Sequence, residues 1–176
     1  LFKPQQRMLD FGSGPGENAL RFAKIGYYVE GFDISETNIA LSKEFAAKNG
    51  MANKVQFQVS AAEKLPFTND CFDFIAGIDI LHHVDIKLAV NECKRVLKPG
   101  GIAVFREPLE VPLLDKIRNT KLILMIAPKA KSFENHITHD ERKLNQADID
   151  TILSFFPNNT IKKYSLFSRF DKFFRE

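Results

Sequence analysis

Cysteine is scarce. The 176-residue chain has two, Cys71 and Cys93, far from Cys-x-x-Cys spacing and too few for a disulfide framework. They read as reduced, packed thiols, which points to a cytosolic protein. No His/Cys/Asp group has metal-ligand spacing and no Ser-His-Asp arrangement is legible, so neither a metal site nor a hydrolase triad is expected. Long apolar runs are also lacking. The longest, Leu122 to Ala127, is far short of the ~20 residues that cross a bilayer, and no apolar segment of a signal peptide opens the chain. Net charge is only +3. Residues 1–88 carry 9 basic and 11 acidic groups, residues 89–176 carry 16 and 11, so the first half lacks the basic surplus of a nucleic-acid binder. The later surplus is scattered, which suits a solvated surface. Recruitment of an acidic substrate, or peripheral contact with an anionic membrane, is its second reading.

What is present is ordinary globular material, 44% apolar and 27% charged, in a length that fits one domain. Strand-like and helix-like segments alternate from the start. Arg7–Phe11 reads as a buried strand, closed by Gly12-Ser13-Gly14-Pro15-Gly16. Glu17–Ile25 is helical, with Ala19, Phe22 and Ala23 on one face and Gly26 as its stop. Residues 27–32 make a second strand ending at Asp33. Ser35 is the N-cap of a helix that runs to Asn49-Gly50. Val55–Val59 alternates strictly, as a third strand does. A turn at Thr68-Asn69-Asp70 introduces a fourth, Phe72–Ile78. Ile86, Ala89, Val90, Cys93, Val96 and Leu97 recur at helical spacing until Lys98-Pro99-Gly100-Gly101 stops the helix, and Ile102–Phe105 is a fifth strand. Beyond it the pattern predicts a helix over Leu113–Ile126, another marked by Ile149, Ile152, Leu153 and Phe156, and a sixth strand over Thr160–Phe167.

Strands separated by helices imply right-handed crossovers: an α/β, Rossmann-like, doubly wound and mostly parallel sheet with helices on both faces. Ligands of such sheets bind beyond the carboxyl ends of the strands. Asp10, Asp33, Asp79 and Glu107 all fall there. The turn from Gly12 to Gly16 lets a ligand approach the backbone, although a purely structural turn has the same composition. A dinucleotide fingerprint would need glycine where Glu17 stands, and no Gly-Lys-Ser/Thr triplet follows, so a pyrophosphate ligand is disfavoured. Asp33 ends the second strand, where a carboxylate can accept from both hydroxyls of an adenosine ribose. Its alternative is helix capping, which Ser35 already provides. His82 and His83 follow the fourth strand. Adjacent histidines point different ways, so at most one is expected to face a cleft.

These residues carry a resemblance. "MLDFGSGPGENALRFAKIGYYVEGFDIS" is similar to motif I and the acidic loop of class I S-adenosylmethionine-dependent methyltransferases. "SAAEKLPFTNDCFDFIAGIDILHHV" resembles the next two motifs and "KRVLKPGG" the turn before strand five. The branch is that of ubiquinone and menaquinone biosynthesis methyltransferases, methyltransferase type 11. The match is dense over residues 3–108 and thins beyond them. It implies S-adenosyl-L-methionine as cofactor and methyl transfer to a small-molecule or glycan-type acceptor. A catalytically silent binding relative and a nicotinamide-dependent oxidoreductase are the rivals.

By the same resemblance, Asp10 braces the turn and approaches the methionine amino group. Gly12 and Gly14 pass beside the methionyl part, Ser13 and Gly16 of the same turn belong to the cofactor-binding set, Asp33 holds the ribose, and Ile34 packs on adenine. Ala61, Ala62 and Glu63 line the adenine edge, where the family usually has Asp in place of Ala61. Asp79 sits near the methionine end. His83 leads the candidates for a general base, followed by His82, Glu107 and His136; His139 reads as surface. Residues 1–108 form the cofactor-binding core of one domain and 109–176 its substrate side. Related enzymes add an N-terminal helical segment and a last antiparallel strand. Neither is readable, so the chain is expected to be incomplete at both ends, with the fifth strand an unpaired edge. Phe167, Phe170 and Phe174 stand at helical spacing, as a surface for a partner would.

Overall fold

Residues 6–110 and 142–162 are described by the computed structural model of the chain. Along them run β1 (Arg7–Phe11), α1 (Glu17–Lys24), β2 (Tyr28–Asp33), α2 (Glu36–Lys48), β3 (Val55–Val59), β4 (Phe72–Ile78), a 3₁₀ turn (Leu81–His83), α3 (Ile86–Val96), β5 (Leu97–Arg106) and α4 (Gln146–Phe155). Side chains set most helix starts. Ser35 Oγ accepts from the Asn38 N–H at 3.2 Å, Asp85 accepts from Leu88 N–H at 2.9 Å, and Asn145 with Asp148 forms a capping box. α1 differs: its N-cap is Gly16, in the left-handed region, with no side-chain cap of its own.

The strands lie in the order β3-β2-β1-β4-β5, and every pair is parallel. The order reverses between β1 and β4, and the crevice of a doubly wound sheet opens at that point. Alternation along β1 divides the core in two. Met8 packs with Ala19, Leu20, Ile39 and Ala46 of α1 and α2. Leu9 and Phe11 point the other way, to Val90, Cys93 and Val96 of α3. Phe11 meets Phe32 and Phe105 edge-on, with ring centroids at 4.9 and 5.6 Å, geometry worth about 0.5–1.5 kcal/mol a pair beyond area burial. α4 lies on α3, adding Ile152 and Phe155 to the same core.

β5 starts earlier than the sequence pattern suggests. Leu97 already pairs with Phe72, and the next pair is Ile102 with Phe74. Lys98-Pro99-Gly100-Gly101 therefore ends the helix as expected, but as an outward loop within the strand, with Gly100 at φ +77°. Lys98 Nζ ties it to both oxygens of Asp73 at 2.9 Å.

Of the sixth strand, Thr160–Lys162 has no regular structure. Its remainder, the helix over Leu113–Ile126, the Phe167–Phe174 stripe, His136 and His139 lie outside the described residues. No described helix is long and apolar enough to cross a membrane.

Candidate functional site

The turn after β1 is shaped from both sides. Ser13 donates its N–H to the Phe32 carbonyl at 2.8 Å and its hydroxyl to the same oxygen at 3.3 Å, so this side chain is turned into the fold. Gly12 has φ +75°, and a Cβ there would come within 2.6 Å of Ile80 Cγ1; the β4 end presses on the turn and only glycine fits. Gly16 is equally confined, against Ser42 and Phe57. Gly14, at φ +50°, is the opposite case: a Cβ would meet nothing within 4 Å. Its backbone is open to a ligand.

Asp33 gathers the surrounding donors. Its Oδ2 accepts from the Gly14 N–H at 3.0 Å. Its Oδ1 accepts from the Ser35 N–H at 2.8 Å and from Asn38 Nδ2 at 3.2 Å. The carboxylate thus braces the start of α2, the capping role weighed for this residue, and it also lines a cavity. That cavity, about 140 Å³, has Gly12, Asp33, Ile34, Ala61, Ala62, Glu63, Ile80 and His83 among its walls. Ile34 is 78% exposed beside it, an apolar face in water. Ala62 is buried, and Ala61 presents no side-chain acceptor. Asn38 and Ile80 were not singled out by sequence reasoning. Asn38 stands three residues after the Ser35 cap, a position that could have suggested it.

Asp10 sits on the α1 face of β1, 2% exposed. Among the described residues its Oδ2 is the single buried side-chain N or O atom without a hydrogen-bond partner. Burial pushes its carboxyl up to about 7, and the Ala19 N–H in the first turn of α1 pulls it back only in part. The residue substitutes for the missing cap of α1 with one oxygen and leaves the other unanswered.

At the ends of β4 and β5 the acids are already engaged. Asp79, at φ +55°, receives Arg106 Nη2 at 2.6 Å. Arg106 has no motif of its own, and its pairing across strands could not be read locally. Glu107 Oε1 accepts from the Ile80 and Leu81 N–H groups at 2.9 and 2.8 Å, while Oε2 lies 2.7 Å from His82 Nδ1. The His82 and His83 rings are 4.0 Å apart, centroid to centroid. His83 is the exposed member and lines the cavity; His82 is the inner one.

A family model described as a methyltransferase domain matches residues 9–105, more than half of the chain. The uncharacterized methyltransferase YcgJ of Bacillus subtilis (strain 168) is 37% identical over 120 residues, covering 66% of this chain and 47% of that protein. The ubiquinone/menaquinone biosynthesis C-methyltransferase UbiE of Brucella anthropi is 34% identical over 123 residues, covering 65% and 46%. The crystal structure of YcgJ matches with a TM-score of 0.65 at 29% identity, over 86% of this chain and 61% of that one. Phosphoethanolamine N-methyltransferase 2 of Haemonchus contortus shares the fold, with a TM-score of 0.69 at 23% identity, over 98% of this chain and 37% of that one. The chain spans less than half the length of these curated relatives. The parallel sheet, the glycine turn at its switch point and the matched residues lead to one conclusion: the chain belongs to the methyltransferase-domain family.

Proposed function

We propose that the chain binds S-adenosyl-L-methionine and transfers a methyl group to a small-molecule acceptor. The observation that carries this is the Asp33 carboxylate at the cavity wall, fixed by the Gly14 and Ser35 N–H groups. A carboxylate has about four acceptor positions and the protein uses three, the longest to Asn38. Ribose hydroxyls would take the remaining position and compete for that of Asn38. Ile34 offers an apolar face to adenine, and Gly14 lets the ligand lie against the backbone. The unpartnered oxygen of Asp10 suits the ammonium of the methionine part, whose charge would offset the cost of ionising a buried acid. The ~140 Å³ cavity is smaller than the ~300–1,000 Å³ typical of whole ligand sites, so it is assigned to the nucleoside end. Without a carboxylate at Ala61 the adenine amino group loses one charged acceptor, roughly 1.5–3 kcal/mol, which weakens binding and does not abolish it.

The bound cofactor supplies a methyl carbon already activated by its sulfonium. The chain then contributes mainly position and a dry cleft, worth up to ~7–11 kcal/mol. An acceptor hydroxyl or carbon acid also needs a base, and the His82–His83 pair is the described group in place to serve; His136 remains a candidate outside the described residues. We place the Asp79–Arg106 pair and residues 109–176 on the acceptor side, and the reaction in the cytosol, a setting that two buried free thiols support. The names of the relatives, ubiquinone and menaquinone methyltransferases among them, support a small-molecule acceptor. Isothermal titration with S-adenosylmethionine and with NADH, followed by S-adenosylhomocysteine release over phenols, quinones and sugars, tests the reading. Heat with the first ligand alone and release with an acceptor are expected. Heat with NADH alone would point to an oxidoreductase, and binding without any release to a silent relative.

A further inference from the structure

Glu107 was expected among the acids that could act as a base, yet its side chain is only 5% exposed and His82's is 9% exposed. Both carboxylate oxygens are committed. Two backbone N–H groups, from Ile80 and Leu81, converge on Oε1. A carboxylate oxygen only accepts, so Oε2 is an acceptor as well. An Nδ1 only 2.7 Å from it must then be the donor, in a short, charge-assisted bond. In a neutral imidazole the lone pair is left on Nε2.

We propose that Glu107 is a positioning residue: it holds the Asp79–His83 turn by its backbone and locks His82 in the Nδ1–H form, so that Nε2 receives the acceptor's proton. The last clause rests on the methyl-transfer reading; the tautomer does not. In that step the acceptor's O–H or C–H bond breaks and the proton goes to Nε2. The acceptor's freed electron pair forms the bond to the methyl carbon, and the old carbon–sulfur pair stays on sulfur. The imidazolium, stabilised by Glu107, later returns the proton to solvent. His82 replaces His83 as the leading base, because the outer ring lines the nucleoside cavity and the inner one is oriented by a carboxylate.

The test is the tautomer of His82 in the full chain, read from ¹⁵N–¹H multiple-bond NMR on the alkaline plateau of its ring ¹⁵N shifts. Nδ1–H is expected. In Glu107→Gln the amide carbonyl can still accept from Ile80 and Leu81, but the amide NH₂ faces Nδ1 and donates, which drives the ring proton to Nε2. A wild-type His82 found as Nε2–H or as a mixture overturns the proposal without any variant being needed. So does a folded Glu107→Gln protein with an unchanged tautomer. On an acceptor found by the release assay, Glu107→Gln should lower kcat about 10²–10⁴-fold with little change in the KM for cofactor, and wild-type turnover would overturn the base role. Titration of the wild type with S-adenosylhomocysteine is the separate check: no binding would remove the methyl-transfer reading and leave the tautomer result standing.

Discussion

Two carboxylates on the neighbouring strands β1 and β2 behave oppositely because their donors differ. Asp33 has three and is ready to hold a polar ligand. Asp33→Ala removes the proposed ribose acceptor and a brace of α2, and it should weaken S-adenosylmethionine binding by roughly 2–4 kcal/mol, charge-assisted bonds in a half-buried site being the strong ones. Unchanged affinity in a calorimetric titration would rule out the ribose assignment. Asp10 has too few donors. Its folded-state carboxyl titrates near 7 against ~3.9 in an unfolded chain, so the folded form holds the proton more tightly. Stability therefore falls as pH rises from about 4 to 7, and it stays lower above, by an amount of order 4 kcal/mol. Asp10→Asn carries no charge to bury. It should flatten that decline and raise the melting temperature of the ligand-free protein at pH 8, while weakening cofactor binding. A variant whose pH profile matches the wild type would show that Asp10 is not the group responsible.

Between elements, one guanidinium does most of the fastening on the α3 face. Arg95 donates to the Leu65 and Phe67 carbonyls, to Asn69 Oδ1 and to Glu92, while Glu92 also accepts from the Leu65 N–H at 2.7 Å. The Arg95 partnership holds the Glu92 carboxyl below the usual range. The long connection between β3 and β4 is pinned to α3 in this way, and with it the Ser60–Glu63 wall of the cavity. Arg95→Met keeps the apolar stem and leaves those carbonyls unanswered. We expect a loss of about 1–3 kcal/mol, read as a lower urea midpoint at unchanged slope; an unmoved midpoint would mean that the loop holds itself.

The same contrast explains what could be read in advance. β1, β3 and β4 coincide with the strands expected there, because the apolar runs of β1 and β4 and the strict alternation of β3 are written locally. Ser35 announces α2, and glycine announces the turn. The onset of β5 at Leu97 is not local, because it depends on a partner, Phe72, 25 positions away. Glu107 was visible as an acid at a strand end. What it does was not, since its three partners lie on another strand's exit loop and only the folded sheet brings them together.

At the scale of the molecule, the sheet keeps its two ends for different purposes. Glycine turn, acids and histidines gather at the carboxyl ends of the strands. The loop Lys98–Gly101 stands at the amino end of β5, opposite them, with Pro99 and Gly100 exposed. The two cysteines of the chain are buried, and burial raises both thiols, that of Cys93 to about 12. Neither is a ready nucleophile. Together these features give the protein a background-free point of attachment: Pro99→Cys would supply its one accessible thiol, on a loop whose geometry already departs from the strand. A maleimide dye should couple once per chain under native conditions and leave S-adenosylhomocysteine binding unaltered, so that fluorescence could follow the molecule without touching its chemistry. Two or three dyes per chain, counted by mass spectrometry, would instead report that the core around α3 opens on the labelling timescale.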